Sequence, residues 1–212
     1  MKHVPHVVVG APWEGPNLSL SVVQSRHLSK VLRMSHGDKV TYTDGLGNFG
    51  RGVLGQHLIA RGKEEQVERP TRLTVVVAPP SNKDRQRFLV EKLAELGVER
   101  LMWLGTRHGK NRVASAAKTF SWVLAATEQS RGSWLMEVVP DLVSFDDLEP
   151  GWVVCQPGGE RSRPDTNTVV IGPEGGFADD ELPEGARRWD LGPTILRVET
   201  AAVVAAAKLR PC

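Results

Sequence analysis

The sequence predicts an α/β domain with a mostly parallel sheet, preceded by a small β-rich module. Three observations carry this. After residue 70, short apolar strands alternate with amphipathic helices. Before it, short strands are separated by turn formers. Between them Arg61–Pro70 (RGKEEQVERP) is charged, weakly apolar and closed by a proline, so the boundary falls there and the chain divides into 1–70 and 71–212.

In the first part, 6–9 and 18–23 have strand composition, and 39–43 alternates. Asp44-Gly45 and Gly47-Asn48 are turn formers that let 48–54 return as a paired strand. Residues 25–34 suit a short helix with Leu28, Val31 and Leu32 on one face. In the second part, 73–78 is a continuous apolar strand. Residues 83–96 form an amphipathic helix with Phe88, Leu89, Leu93 and Leu96 inward, ended by Gly97. Strands follow at 98–104, 152–155 and 168–171, and helices at 113–130, 179–187 and 198–209.

The chain has 212 residues, 40% hydrophobic and 25% charged, which is enough to bury a core and excludes a largely disordered polymer. Apolar runs such as Ala201–Ala207 fall far short of the roughly 20 residues of a membrane span, and no signal-peptide stretch opens the sequence. Two cysteines, Cys155 and Cys212, give neither a disulfide framework nor a metal cluster, so no metal is expected and a cytoplasmic setting is the simplest reading. The formal charge of +2 hides a division. Residues 1–135 hold 20 Lys+Arg against 11 Asp+Glu, and residues 136–212 hold 7 against 14. A polyanion such as nucleic acid on the basic part, or neutralisation across an interface, both account for that split.

Two segments carry candidate chemistry. In Val169–Phe177 (VVIGPEGGF) an apolar strand enters a glycine-rich turn, the plan of a nucleotide-type ligand site at the carboxyl end of a parallel sheet. Neither the P-loop nor the Gly-x-Gly-x-x-Gly spacing is present, and Glu174 would repel phosphates. A ligand with hydroxyls, an amine or a positive centre fits better, and a plain structural turn is an equal alternative. In Leu191–Ala202 (LGPTILRVETAA) a Gly-Pro turn leads to Arg197 and to Glu199 at the start of an Ala-rich helix, where an acid complements the helix N-terminus. By itself this pair is better read as an ordinary surface ion pair of little worth.

Together, in this order and wording, the segments resemble the SPOUT superfamily of knotted methyltransferases. Within it the resemblance is closest to the 16S ribosomal RNA uridine-N3 methyltransferase family. Arg26-His27-Leu28-x-x-Val31-Leu32-Arg33 with Gly37-Asp38 is similar to that family's N-terminal PUA-like RNA-binding domain. Phe88–Val98, Thr106-Arg107 and Glu128-Gln129-Ser130-x-Gly132 resemble its catalytic-domain motifs. The resemblance implies a PUA-like β-barrel over 1–70 and a trefoil-knot methyltransferase domain over 71–212, acting as a homodimer on 16S ribosomal RNA or the small subunit. It implies S-adenosylmethionine held by Ile171, Gly172, Glu174, Gly175, Gly176, Leu191, Gly192, Ile195 and Leu196. Arg197 is then the candidate that stabilises the uridine oxygen as N3 loses its proton, with Glu199 orienting Arg197 or accepting the proton. RNA contacts are expected from His27, Lys30 and Arg33 in the small domain and from Lys83, Arg85, Arg87, Arg107, Lys110 and Arg112 in the other. Trp13, in a Pro/Gly loop, suits base stacking or packing equally.

The family pattern is departed from in places. Ala178 stands where Ser or Thr usually caps a helix, so Asp179 is expected to serve as cap or dipole partner. The first strand, from His3, lacks the usual aromatic start, and the end at Leu209–Cys212 is short enough to truncate the last helix. The rival readings are a ribose or tRNA-base methyltransferase and a non-catalytic RNA-binding or assembly protein.

Overall fold

The computed structural model describes residues 4–210, so the readings placed on His3 and on the cysteine at 212 lie outside the described residues. These fall into two units. The first contains residues up to Arg69 together with Leu124–Leu135, and the second contains Pro70–Val123 and the residues from Met136 onward.

The first unit is built on six strands: β1 (His6–Val8), β2 (Asn17–Ser19), β3 (Lys39–Thr43), β4 (Asn48–Leu54), β5 (Leu58–Ala60) and β6 (Glu64–Gln66). Their order is β1-β3-β4-β5-β2, with β6 also on β4, and only β1–β3 is parallel. The β3–β4 hairpin has the expected turn: Asp44 Oδ1 accepts from the N–H groups of Leu46 (2.7 Å) and Asn48 (3.1 Å). Val7, Leu18, Leu28, Val40, Tyr42, Leu54 and Ile59 form the core. Trp13 packs edge-on against Tyr42, with ring centroids 5.1 Å apart, and donates Nε1–H to the Val9 carbonyl at 2.8 Å. Of its two readings, packing is the one this geometry uses.

The expected strand over 18–23 ends at Ser19, because Ser21 starts a helix instead. Ser21 and Gln24 form a reciprocal capping box before α1 (Val22–Arg26), which continues into a wider turn, His27–Val31. Of the three residues expected on its inner face only Leu28 is buried, while Val31 is 65% and Leu32 42% exposed. Within the same unit His6 bonds Thr41 Oγ1 (2.9 Å) and the Gly132 carbonyl (3.1 Å) and stacks on Phe49. The Val8 N–H donates to Glu128 Oε1 at 3.1 Å, so this Glu-Gln-Ser glutamate serves the N-terminal fold.

The second unit carries β7 (Thr74–Val77), β8 (Arg100–Leu104), β9 (Glu137–Val143), β10 (Val153–Glu160), β11 (Thr168–Ile171) and β12 (Arg188–Trp189). Every pairing in the order β12-β10-β11-β7-β8-β9 is parallel, as the alternation of strands and helices predicts. Val75, Val76 and Val77 of β7 and Val169 and Val170 of β11 have no exposed surface, which explains their unbroken apolar wording. α2 (Lys83–Glu95), capped by Asn82, packs on α4 (Val198–Leu209). It buries Leu89, Val90, Leu93 and Ala94, but Phe88, expected inward, is 44% exposed. The buried Gln86 is satisfied: its Nε2 donates to the carbonyls of Pro80 and Arg112, and its Oε1 accepts from Ala114 N–H. α3 (Ala116–Ser130) begins in this unit, while its residues from Leu124 belong to the other.

The expected helix over 179–187 is absent. Pro183 and Gly185 break that stretch into turns that run into β12. Asp179 therefore caps nothing, and the acid that organises this segment is Glu181: its Oε2 accepts from Ala178 N–H at 2.9 Å and its Oε1 from Arg107 N–H at 2.7 Å.

Candidate functional site

β7 lies between β8 on one side and β11 on the other, so the strand order reverses direction there. In open parallel sheets, ligands bind beyond the carboxyl ends of the strands near such a switch. A cavity of about 250 Å³ opens at the carboxyl end of β11, beside the middle of β10. The two separated segments, 171–177 and 190–201, converge on it.

Of the nine residues read from sequence as a cofactor site, Ile171, Gly172, Glu174, Gly176, Leu191, Gly192, Ile195 and Leu196 line this cavity, and Gly175 does not. Gly175 instead backs onto the β8 loop, where the Cβ of His108 lies 3.5 Å from the position a Cβ on Gly175 would take, and His108 Nδ1 bonds the Gly176 carbonyl at 3.1 Å. Glycine at 172 leaves room for the Phe177 ring, which a Cβ there would meet at 2.6 Å. Gly192 has φ +151° and is held by Asp190, whose Oδ1 accepts its N–H at 3.0 Å. That bond, followed by the weaker help of Arg161, lowers the Asp190 pKa from the usual carboxylate value.

Sequence reasoning missed Cys155, Gln156, Pro157, Phe177, Asp190 and Thr194, which also line the cavity. The first three follow from β10 pairing in register with β11, Cys155 opposite Ile171, which no local pattern reveals. Burial pushes the Cys155 thiol up to about 12, so it is an inert wall.

Glu199 is buried, and its Oε1 lies 3.7 Å from Arg85 Nε, while the same guanidinium also pairs with Glu174. Helix α2, the glycine loop and the first turn of α4 thus meet at one arginine. Arg197, the residue before α4, is exposed, and no ion pair joins it to Glu199 among the described residues. Arg85 is therefore occupied by carboxylates, as are Arg87 by Glu91 (2.7 Å) and Arg107 by Asp180 (2.5 Å). Lys83, Lys110 and Arg112 are exposed, as are His27, Lys30 and Arg33 in the other unit.

A parallel sheet with a glycine-lined, largely apolar cavity at the carboxyl end of a strand beside its switch point has the plan of a small-molecule-binding α/β domain. Residues 67–210 match the model of a family described as RNA methyltransferase domain. A ribosomal RNA small subunit methyltransferase E from Mycobacterium bovis is 30% identical over 84% of this chain and 80% of its own length. The enzyme of the same name from Rickettsia conorii is 26% identical over 87% and 85%. The crystal structure of a ribosomal RNA small subunit methyltransferase E from Neisseria gonorrhoeae bound to S-adenosyl methionine superposes with a TM-score of 0.82 at 25% identity, covering 97% of this chain and 96% of that one. The chain belongs to this RNA methyltransferase family, in its ribosomal RNA small subunit methyltransferase E branch.

Proposed function

We propose that the chain transfers a methyl group from S-adenosylmethionine to N3 of a uridine in 16S ribosomal RNA. The observation that carries this reading is the convergence of the 171–177 and 190–201 segments on one cavity, in a chain whose relatives are named for methylation of small-subunit RNA.

The cavity's chemistry fits the cofactor. Ile171, Leu191, Leu196, Val198 and Ala201 offer apolar faces to a purine, and Glu174 and Asp190 offer carboxylates to a cation. When bound, S-adenosylmethionine supplies a methyl on a sulfonium that needs no further activation. The chain's task is then at the base. Uridine N3 carries a proton and is a poor nucleophile until the proton leaves, so the site must orient the ring and stabilise its anion. Arg197 is exposed beside the cavity residues Leu196 and Val198 and is free to place its guanidinium against a carbonyl oxygen of the base. Glu199, buried in the first turn of α4 and paired with Arg85, is the candidate proton acceptor in this reading.

The first unit serves as a PUA-like RNA-binding domain through His27, Lys30 and Arg33, and the second, knotted through the 172–176 and 191–196 loops, uses Lys83, Lys110 and Arg112. The partner pairings of Arg85, Arg87 and Arg107 give those three a structural part beside any RNA contact. Ile195 lines the cavity yet is 92% exposed, which supports a site completed in a homodimer. A cytoplasmic setting goes with this reading, since its substrate is ribosomal. Calorimetry with S-adenosylhomocysteine tests the reading: micromolar affinity is expected, and no measurable binding would overturn it in favour of an RNA-binding protein without catalysis.

A further inference from the structure

Four buried side-chain polar atoms lack a hydrogen-bond partner among the described residues: Ser25 Oγ, Thr106 Oγ1, Gln156 Oε1 and Glu199 Oε2. Of these four residues, Gln156 is the one that lines the cavity. A buried amide oxygen without a donor is costly, and a native site that keeps one has a use for it. The other polar side chains of the lining are differently placed. Asp190 is bonded to Gly192 and lies 3.5 Å from Arg161, Glu174 is paired with Arg85, and Thr194 is exposed.

From this we infer that the Gln156 carboxamide reads the adenine edge of the cofactor, with Oε1 accepting from the exocyclic amine. This rests on the S-adenosylmethionine reading above. Three properties select adenine over the rest of that molecule. Gln156 is neutral and stands between Cys155 and Pro157 midway along β10, whereas an ammonium or sulfonium is better served by the carboxylates of Glu174 and Asp190. The apolar residues Ile171, Leu196 and Ala201 of the same lining suit a flat heterocycle. An amide also presents one acceptor and one donor side by side, the complement of the adenine amine and its neighbouring ring nitrogen.

The test is calorimetry with S-adenosylhomocysteine and its 6-deamino analogue, in which purine replaces adenine. The wild-type chain is expected to bind the deamino analogue about tenfold more weakly, the worth of one good buried hydrogen bond. Gln156→Leu is expected to bind both ligands alike. Its unliganded melting temperature should be unchanged or higher, since the substitution removes the orphaned oxygen. A wild-type chain that binds both ligands equally overturns the inference without any variant. So does a Gln156→Leu protein that keeps the tenfold preference, and in both cases the methyltransferase reading stands. Wild-type protein that binds neither ligand overturns that reading and this inference with it.

Discussion

Arg85 Nε lies 3.7 Å from Glu199 Oε1, joining the second helix of the fold to the first turn of the last one. Glu199 is 6% exposed, so without Arg85 its carboxylate would be buried with no opposite charge. Arg85→Ala is expected to destabilise the chain by about 1–3 kcal/mol, because the stranded charge costs more than the pair contributes. In a Glu199→Gln background the same substitution should cost less than half as much. Urea unfolding of the four proteins measures both, and equal costs in the two backgrounds would mean that the pair is not coupled.

Gly172 and Phe177 set the width of the glycine loop. An alanine Cβ at 172 would sit 2.6 Å from the Phe177 ring, so Gly172→Ala forces the ring or the loop aside. The expected loss is about 1–3 kcal/mol of stability, with weaker S-adenosylhomocysteine binding. Adding Phe177→Leu should restore part of both. Thermal unfolding and calorimetry check the pair, and a Gly172→Ala protein indistinguishable from wild type would contradict the packing described.

The N-terminal unit should be acid-sensitive through His6. Burial, with Arg131 nearby, holds its imidazole down to about 4, against 6.5 in the unfolded chain. Between these values the unfolded chain binds a proton that the folded one refuses. The His6 contribution is therefore complete above pH 6.5 and is lost as pH falls towards 4, amounting to about 3 kcal/mol at most. Burial moves the Glu128 carboxyl the other way, above its usual range, so its protonation offsets part of that loss. Denaturant midpoints at pH 7 and pH 4.5 should fall further for wild type than for His6→Gln. Parallel pH profiles would remove His6 as the cause.

Arg197 is exposed and ends the 190–197 segment just before α4. If it stabilises the uridine anion, Arg197→Ala should lower the methylation rate about a hundredfold while leaving S-adenosylhomocysteine affinity within twofold. Single-turnover rates and calorimetry separate the two. A variant that binds the cofactor and RNA yet methylates at the normal rate would rule out this role.

What the sequence displays of this fold is what the physics of burial writes into short local patterns. Val75–Val77 and Val169–Ile171 are buried on both sides and so spell continuous apolar runs. β9 is not legible: it is an edge strand whose residues are half or fully exposed and include Pro140 and Asp141. β12 has two residues and no period to read. The stretch 179–187 reads as helical by composition, but Pro183 and Gly185 outweigh it, and Ser21 with Gln24 forms a capping box inside a segment of strand composition. At the site, glycine turns are legible because backbone constraints select glycine. Gln156 and Asp190 are not, since their roles come from strands that meet only in space. The occupancy of Arg85, Arg87 and Arg107 by acids is likewise tertiary: the partner of Arg107 lies 73 residues away.

The central claim is tested most directly by mass mapping of methylated nucleotides. Small ribosomal subunits from cells lacking this protein would be incubated with the purified chain and S-adenosylmethionine bearing a heavy methyl group. The expected result is label on N3 of a uridine in the 16S RNA, absent when the chain is omitted. Label on a ribose or on another base, or no label from protein that binds S-adenosylhomocysteine, would contradict it.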